Sequence, residues 1–437
     1  MTPIEIGVIV LVVTLFVLFS GLPIAWGLTL VAAAFLVIFQ GPKTLANVPV
    51  IMMDELSSFA LLTIPLFVLL GAAIGVSAAG RDLYESLNRW LDRVPGGLVI
   101  ANILACGIFS AICGSSPATA AAIGKAGVPE MLRRGVPASL ATGSICAGGT
   151  LGILIPPSIT MILYGIATET SIGRLFLAGV LPGILLVLLF AIYAGFASRK
   201  AGNAAGVVAR TYTLGEKVEG LARVLPFVAI VVAVGYAMYG GLASPSEVAA
   251  LAAALALALV LVIYRTWRIR DLWRILGDTV RESTMILMII AAAAVFSYML
   301  SLLYVTQTAA QALVDLQMNR WVLMLAINCF LLVAGCFLPP VAIILMVMPV
   351  LQPVLEANQF DMIWFAVILT INMEVGLITP PVGLNLYVLK GVAPDVPLTT
   401  VLRGSMPFVF IMLATMVLLC VVPQIATWLP DRMMGAQ

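Results

Sequence analysis

Ser115, Ser116 and Thr119 lie in the polar knot Gly114–Thr119, and Thr379 stands directly before Pro380 and Pro381. A second proline pair, Pro156 and Pro157, follows Gly152 at the same spacing that separates Gly376 from its own pair. Both read G-x-x-x-P-P, and both fall mid-way in apolar segments. A proline inside a helix removes one hydrogen bond and clashes with the preceding turn, at about 3 kcal/mol. Two in succession unwind the helix and release carbonyls, which survive in a bilayer only when buried in protein or lining a cavity. Hydroxyls and unwound carbonyls are the oxygen donors that hold Na⁺, and helix N-termini at that depth favour a carboxylate.

The candidate cation ligands are therefore the Ser115 hydroxyl, the carbonyls near Gly152 and Ile155, and those near Gly376 and Ile378 with the Thr379 hydroxyl. Ser116, Thr119, Thr150 and Asn385 are the candidate substrate contacts. The competing readings are that these hydroxyls join neighbouring helices and that the prolines make only a kink. A repeated double-proline break facing a polar tip favours the ion site. Glu374, an acid in an apolar span, is either a functional group or a ligand of backbone amides at the break. Lys125 reads as a snorkelling side chain near the surface.

Residues of these types need rigid elements around them, and composition says which. Of 437 residues, 62% are hydrophobic and 10% charged, with a mean hydropathy of +1.16. Soluble domains carry about 25% charged residues. Apolar runs of roughly 20 residues indicate a polytopic helical membrane protein, and the short alternating strands of a barrel are missing. A net charge of +2 points to no nucleic-acid partner. The chain has no histidine, so proton coupling would fall to carboxylates. Its six cysteines lack C-x-x-C spacing and read as small buried hydrophobes. The first apolar run has no basic n-region, so it reads as a retained helix rather than a signal peptide.

The plan begins with spans Ile4–Ser20 and Ile24–Gln40, a polar loop Gly41–Ser57, a span Phe59–Ala78 and an interfacial helix Arg81–Arg93. A re-entrant hairpin over 96–131, a broken helix over 137–168 and a span Ile172–Ala197 follow. After a basic linker, Ser198–Leu221, come spans Val224–Gly240 and Glu247–Tyr264. An Arg-rich loop, Arg265–Arg281, leads to a span Thr284–Leu303 and a second hairpin over 320–355. A second broken helix over 362–391 and a span Met406–Trp428 end the chain. Pro380 follows Pro156 by 224 residues, Pro353 follows Pro129 by 224, and Pro340 follows Pro117 by 223. The expected domains are thus repeats 1–221 and 222–437.

Most of the 22 basic residues fall on one side of this plan. Only Lys43, Arg174, Arg320 and Arg432 fall on the other, with Lys125 inside the first hairpin. The positive-inside rule makes the larger group cytoplasmic. Both termini are then outside, the hairpins enter from opposite faces, and the repeats are inverted. The expected fold is an all-α polytopic membrane protein with two inverted-topology repeats, each holding a re-entrant helical hairpin and a Pro-Pro-broken helix.

Gly114–Gly124, Gly149–Ser158, Phe176–Gly183 and Glu374–Tyr387 resemble the large membrane subunit of the tripartite ATP-independent periplasmic (TRAP) transporters, over essentially the whole chain. The last motif, EVGLITPPVGLNLY, is the most specific. The resemblance implies an elevator carrier of ion-transporter-superfamily type in the bacterial inner membrane, with Na⁺ as coupling ion and no organic cofactor. It implies three partners: a small four-helix membrane subunit as a separate chain, a periplasmic substrate-binding protein, and an organic acid of C4-dicarboxylate or sialic-acid type. It also implies one Na⁺ site at Ser115 with the carbonyls of Gly152, Ile155 and Pro157. The other would lie around Gly335 and Phe337 with Gly376 and Thr379. Pro117 and Pro339 depart from the family pattern, the second where an acid is frequent. The rival carriers are a stand-alone Na⁺/divalent-anion symporter and an ion antiporter of the same plan. From other classes, an intramembrane enzyme lacks an H-E-x-x-H or metal-ligand motif, and a channel lacks a filter-like repeat.

Overall fold

Helix starts are written locally. Thr2, Thr213 and Ser244 each form a capping box with the glutamate three residues on, Glu5, Glu216 and Glu247, which satisfies two orphan amides reciprocally. The computed structural model describes residues 1–200, 212–240, 242–315 and 319–435. All secondary structure among them is helical.

The first half runs α1 (Pro3–Phe19), α2 (Ile24–Gln40), α3 (Asn47–Leu56), α4 (Thr63–Val76), α5 (Ala79–Trp90), α6 (Gly97–Cys113), α7 (Ser116–Arg133), α8 (Ala138–Thr150), α9 (Ile159–Ala167) and α10 (Ile172–Lys200). The second runs α11 (Leu214–Tyr239), α12 (Pro245–Val262), α13 (Ile269–Leu302), α14 (Val305–Asp315), α15 (Arg320–Gly335), α16 (Pro340–Ala357), α17 (Met362–Leu377), α18 (Leu384–Val392), α19 (Leu398–Val421) and α20 (Gln424–Met434). Seven helices among the described residues are long and apolar enough to cross a membrane. The hairpins are α6/α7 and α15/α16; the broken helices are α8/α9 and α17/α18.

Several sequence expectations need correction. The Arg-rich stretch is not a loop: from Ile269 it is the start of α13, a continuous helix of 34 residues, about 51 Å long. Its charges mark the part outside the roughly 30 Å hydrocarbon layer and do not interrupt hydrogen bonding. The linker ends earlier than expected, because α11 begins at Leu214; residues 201–211, including Arg210, lie outside the described residues. The loop Gly41–Ser57 contains α3, and α14 was not anticipated, being short and moderately polar; the expected last span Met406–Trp428 is instead α19, Leu398–Val421, followed after Pro423 by a separate α20. Cys329 is exposed rather than buried.

Burial divides the helices. Every residue of α17 from Ile363 to Leu377 is buried, and so is α8 from Leu140 to Thr150. Phe16 of α1 and Val232 of α11 are exposed, as lipid-facing residues are. α8 packs on α7 and α19, α17 on α15, α4 on α12, and α13 on α2. The helices that lead into the two breaks, α8 and α17, are thus the most enclosed; the first break is itself largely enclosed, whereas at the second Pro380, Pro381 and Val382 are exposed.

Candidate functional site

The break in the first repeat follows from proline's missing N–H. In an α-helix the Gly152 carbonyl would accept from residue 156 and the Ile153 carbonyl from residue 157, and both are proline. Ile153 recovers a donor: the Ser158 hydroxyl donates to its carbonyl at 2.5 Å and accepts the Met161 N–H at 3.2 Å, starting α9. Gly152 recovers none. Among the described residues, no hydrogen bond reaches the carbonyls of Gly152, Ile155, Pro156 or Pro157. The Pro156–Pro157 and Pro380–Pro381 bonds are both cis.

The first hairpin tip closes on this break. A Cβ built on Gly152 would lie 2.8 Å from the Ser115 carbonyl carbon, and one on Gly114 would lie 2.8 Å from the Pro157 oxygen. Ser115, Gly152 and Pro157 are therefore brought together. Ile155 turns its side chain away, toward Gly183 of α10. Ser115 is half-buried at the edge of a cavity of about 410 Å³.

The four candidate substrate residues are fully buried. The Ser116 hydroxyl donates to the Thr150 carbonyl at 3.2 Å, and the Thr150 hydroxyl donates to the Ala147 carbonyl at 2.6 Å; the first bond ties the tip of α7 to the end of α8. Asn385 donates its amide to the Cys146 carbonyl at 3.4 Å. The Thr119 hydroxyl and the Asn385 side-chain oxygen have no partner among the described residues.

The second break repeats the geometry with a variation. Residue 380 is the proline four after Gly376, and the Gly376 carbonyl instead accepts the Thr379 N–H at a long 3.3 Å. The Thr379 hydroxyl donates to the Val375 carbonyl at 2.5 Å, which leaves its lone pairs available. A Cβ on Gly376 would stand 2.5 Å from the Gly335 carbonyl. The Val382 N–H donates to the Cys336 carbonyl at 3.2 Å, stitching this tip to this break. Gly335, Gly376 and Thr379 are thus gathered beside Ile378, whose side chain is buried. The Phe337 ring is directed elsewhere: it meets Phe19 of α1 edge-on, with centroids 5.3 Å apart.

Glu374 is fully buried, and neither carboxylate oxygen has a hydrogen-bond partner among the described residues. It does not hold the amides of the break; the Ile378 and Thr379 N–H groups bond to the Val375 and Gly376 carbonyls instead. Sequence reasoning also passed over Asn372, whose amide donates to the Asn328 carbonyl at 2.9 Å and side-chain oxygen at 3.0 Å. Two asparagines inside apolar segments were the available signal, since buried amides in membranes join helices.

Residues 10–425, a range that includes both hairpins and both broken helices, match the family described as the tripartite ATP-independent periplasmic transporter, DctM component. The chain belongs to that family. A C4-dicarboxylate TRAP transporter large permease protein DctM from Pseudomonas aeruginosa is 36% identical over 402 residues, 92% of this chain and 93% of that one. The isethionate TRAP transporter permease protein DctMQ of Oleidesulfovibrio alaskensis is 32% identical over 93% of this chain and 63% of its own length. A crystal structure of the Alcanivorax borkumensis YdaH transporter superposes with a TM-score of 0.66 at 15% identity, covering 95% of this chain and 98% of that one, and so shares the fold. DctM-family proteins are transport permeases, and the residues of interest are those that bind and release rather than catalyse.

Proposed function

We propose that this DctM-family chain is the transport subunit of a TRAP complex that imports an organic acid, of the C4-dicarboxylate class named for its P. aeruginosa relative, driven by Na⁺ across the bacterial inner membrane. The observation that carries the reading is the pairing of each hairpin tip with a proline-released helix break, Ser115 on Gly152 and Gly335 on Gly376. One Na⁺ is held by the Ser115 hydroxyl and the carbonyls of Gly152, Ile155 and Pro157. The other takes main-chain oxygens at Gly335 and Phe337 with Gly376, Ile378 and the Thr379 hydroxyl. Between them Thr119 and Asn385, with oxygens still unpartnered, face the acid beside Ser116 and Thr150. Na⁺ bound first offsets the anion's charge, which couples the two at membrane depth.

The repeats 1–221 and 222–437 have inverted orientation in this reading, with both termini periplasmic. Its support is the charge asymmetry and the matched arms α7 and α16, each 18 residues. Hairpins and broken helices move as one body against a scaffold of α1, α2, α11 and α12. A separate small membrane subunit completes that scaffold, as the fused relative suggests by its longer chain and DctMQ name, and a periplasmic binding protein delivers the acid.

The test is uptake of radiolabelled C4-dicarboxylates into proteoliposomes holding the chain, its small subunit and its binding protein. Uptake is expected to require an inward Na⁺ gradient, and Ser115→Ala or Thr379→Ala is expected to raise the half-saturating Na⁺ concentration about tenfold, the equivalent of losing ~1.4 kcal/mol. Unaltered Na⁺ dependence in both variants would refute the sites, and uptake indifferent to Na⁺ would refute the coupling.

A further inference from the structure

The cavity of about 410 Å³ beside the first tip includes residues of the Arg-rich start of α13 in its lining. Ser115 and one face of α7, running through Ala118 and Ala122 to Lys125, line it together with the glycine-containing face of α4 and with Arg274, Asp278, Arg281 and Glu282 of α13. Residues three and four apart share a helix face, so one hydroxyl, two methyl groups and an ammonium lie in line. Lys125 also lines a second cavity, of about 540 Å³, whose other cations include Arg81, Arg133 and Arg134. It stands where the two spaces meet.

The charges are not equally engaged. Arg274 is 3.8 Å from Asp278, and Glu130 holds both Arg133 and Arg134. Lys125 and Arg281 have no ion pair among the described residues. Against them in the first cavity stands one other carboxylate, the half-buried Glu282, so the space keeps a positive excess.

The position of both tips gives this excess a use. Ser115 shares its cavity with Arg281 and Met285, so the first tip is level with the charged border of α13 rather than with its apolar middle. Phe337 of the second tip touches Phe19, the last residue of α1, on the same Arg-rich side of the helix plan. In the orientation and import direction proposed above, both tips lie toward the side from which a carried acid leaves.

We propose that Lys125 and Arg281 form a release-side anion site, which takes the carboxylate of the carried acid as it departs the first hairpin tip. The proposal rests on the organic-acid reading above. Unpaired cations in a cleft with low-dielectric walls raise the local anion concentration by about 10–10³. Both side chains are exposed, and an exposed ion pair is weak, so the acid is drawn off the tip without being retained.

The test needs neither a known substrate nor a Na⁺ gradient. Ala118→Cys, in the full chain with its small subunit, is labelled from the Arg-rich side with anionic sulfonatoethyl and cationic trimethylammonioethyl methanethiosulfonate. Each rate is normalised to that reagent's rate with a free thiol, and the chain without the substitution gives the background. The anionic reagent is expected to be favoured by about tenfold. Lys125→Gln with Arg281→Gln should bring the ratio to one or below, since Arg274, Asp278 and Glu282 remain, and Lys125→Arg should preserve it. A ratio near one before neutralisation, or one that survives the double substitution, overturns the site. Failed acid uptake beside an intact anionic preference would count against the carrier reading alone.

Discussion

Gly152 and Gly376 stand four residues ahead of a proline, and that spacing decides what their carbonyls are able to do. The donor each would have met in a continuous helix is a ring nitrogen without hydrogen. The same residues are where a hairpin tip comes closest, 2.5–2.8 Å from the Cβ each lacks. Position therefore does two things at one residue: it takes the helical donor from an oxygen, leaving Gly152 with none and Gly376 with only the long bond from Thr379, and it brings the tip to it. Alanine at either site meets main chain, which cannot rotate aside, and overpacking of this kind costs about 1–3 kcal/mol. Gly152→Ala and Gly376→Ala are expected to remain folded by gel filtration yet to raise the half-saturating Na⁺ concentration about tenfold. Gly277→Ala, with nothing within 4 Å of its added carbon, is the control. Equal Na⁺ affinity in all three would mean that the tip-to-break contact does not shape the ion site.

At the scale of elements, α5 shows how an amphipathic arm is held. Leu83 and Tyr84 are buried, the Ser86 hydroxyl donates to the Gly220 carbonyl at 2.7 Å, and Trp90 donates its indole N–H to the Lys217 carbonyl at 3.2 Å. Asp92 just beyond the arm accepts from Lys217 at 2.8 Å and from the Tyr212 N–H at 3.0 Å. These ties fasten the arm to the start of α11, and so one repeat to the next. The Lys217 hydrogen bond, followed by the Tyr212 amide, holds the Asp92 carboxyl below its usual range. A depressed carboxyl contributes stability that is complete above its unfolded value near pH 4 and is lost as pH falls through the folded value. Asp92→Asn should lower the Tm in detergent by several degrees at pH 7 and flatten the decline seen on acidification below about pH 4. A variant with the parent's acid slope would dismiss the contact as a stabilising one.

Across the whole molecule, what matters is where the enclosed helices sit against the lipid-facing ones. Phe337 and Phe19 are in edge-to-face contact, with planes at 89°, a geometry worth about 0.5–1.5 kcal/mol beyond its buried area. That is enough to bias a position and too little to lock it. If the hairpin body moves past α1 during transport, this contact breaks in each cycle. Cysteines at both positions, joined through two disulfides by a short bis-methanethiosulfonate, should arrest uptake, and dithiothreitol, which reduces those disulfides, should restore it. Full uptake after complete cross-linking would show that the second tip need not leave α1.

The chain by itself determined its membrane class, its two hairpins and its two broken helices, because a run of apolar residues and a missing proton on proline act locally. Charge was a poorer guide to local structure. Arg265–Arg281 looks like a loop to any reading that equates polarity with turns, yet most of it is helix, since arginines at the membrane border extend into water without disturbing the backbone. Only the tertiary structure decided which hydroxyls are engaged. Ser116 and Thr150 bond to carbonyls while Thr119 and the Asn385 oxygen are left over, and no spacing rule distinguishes them. It also decided that Ser115 meets Gly152, that Glu374 holds no amide, and that Lys125 and Arg281 share a cavity although they lie far apart in sequence. Contacts between segments so far apart depend on how whole helices pack, and that information is distributed over the entire core rather than held in any one stretch.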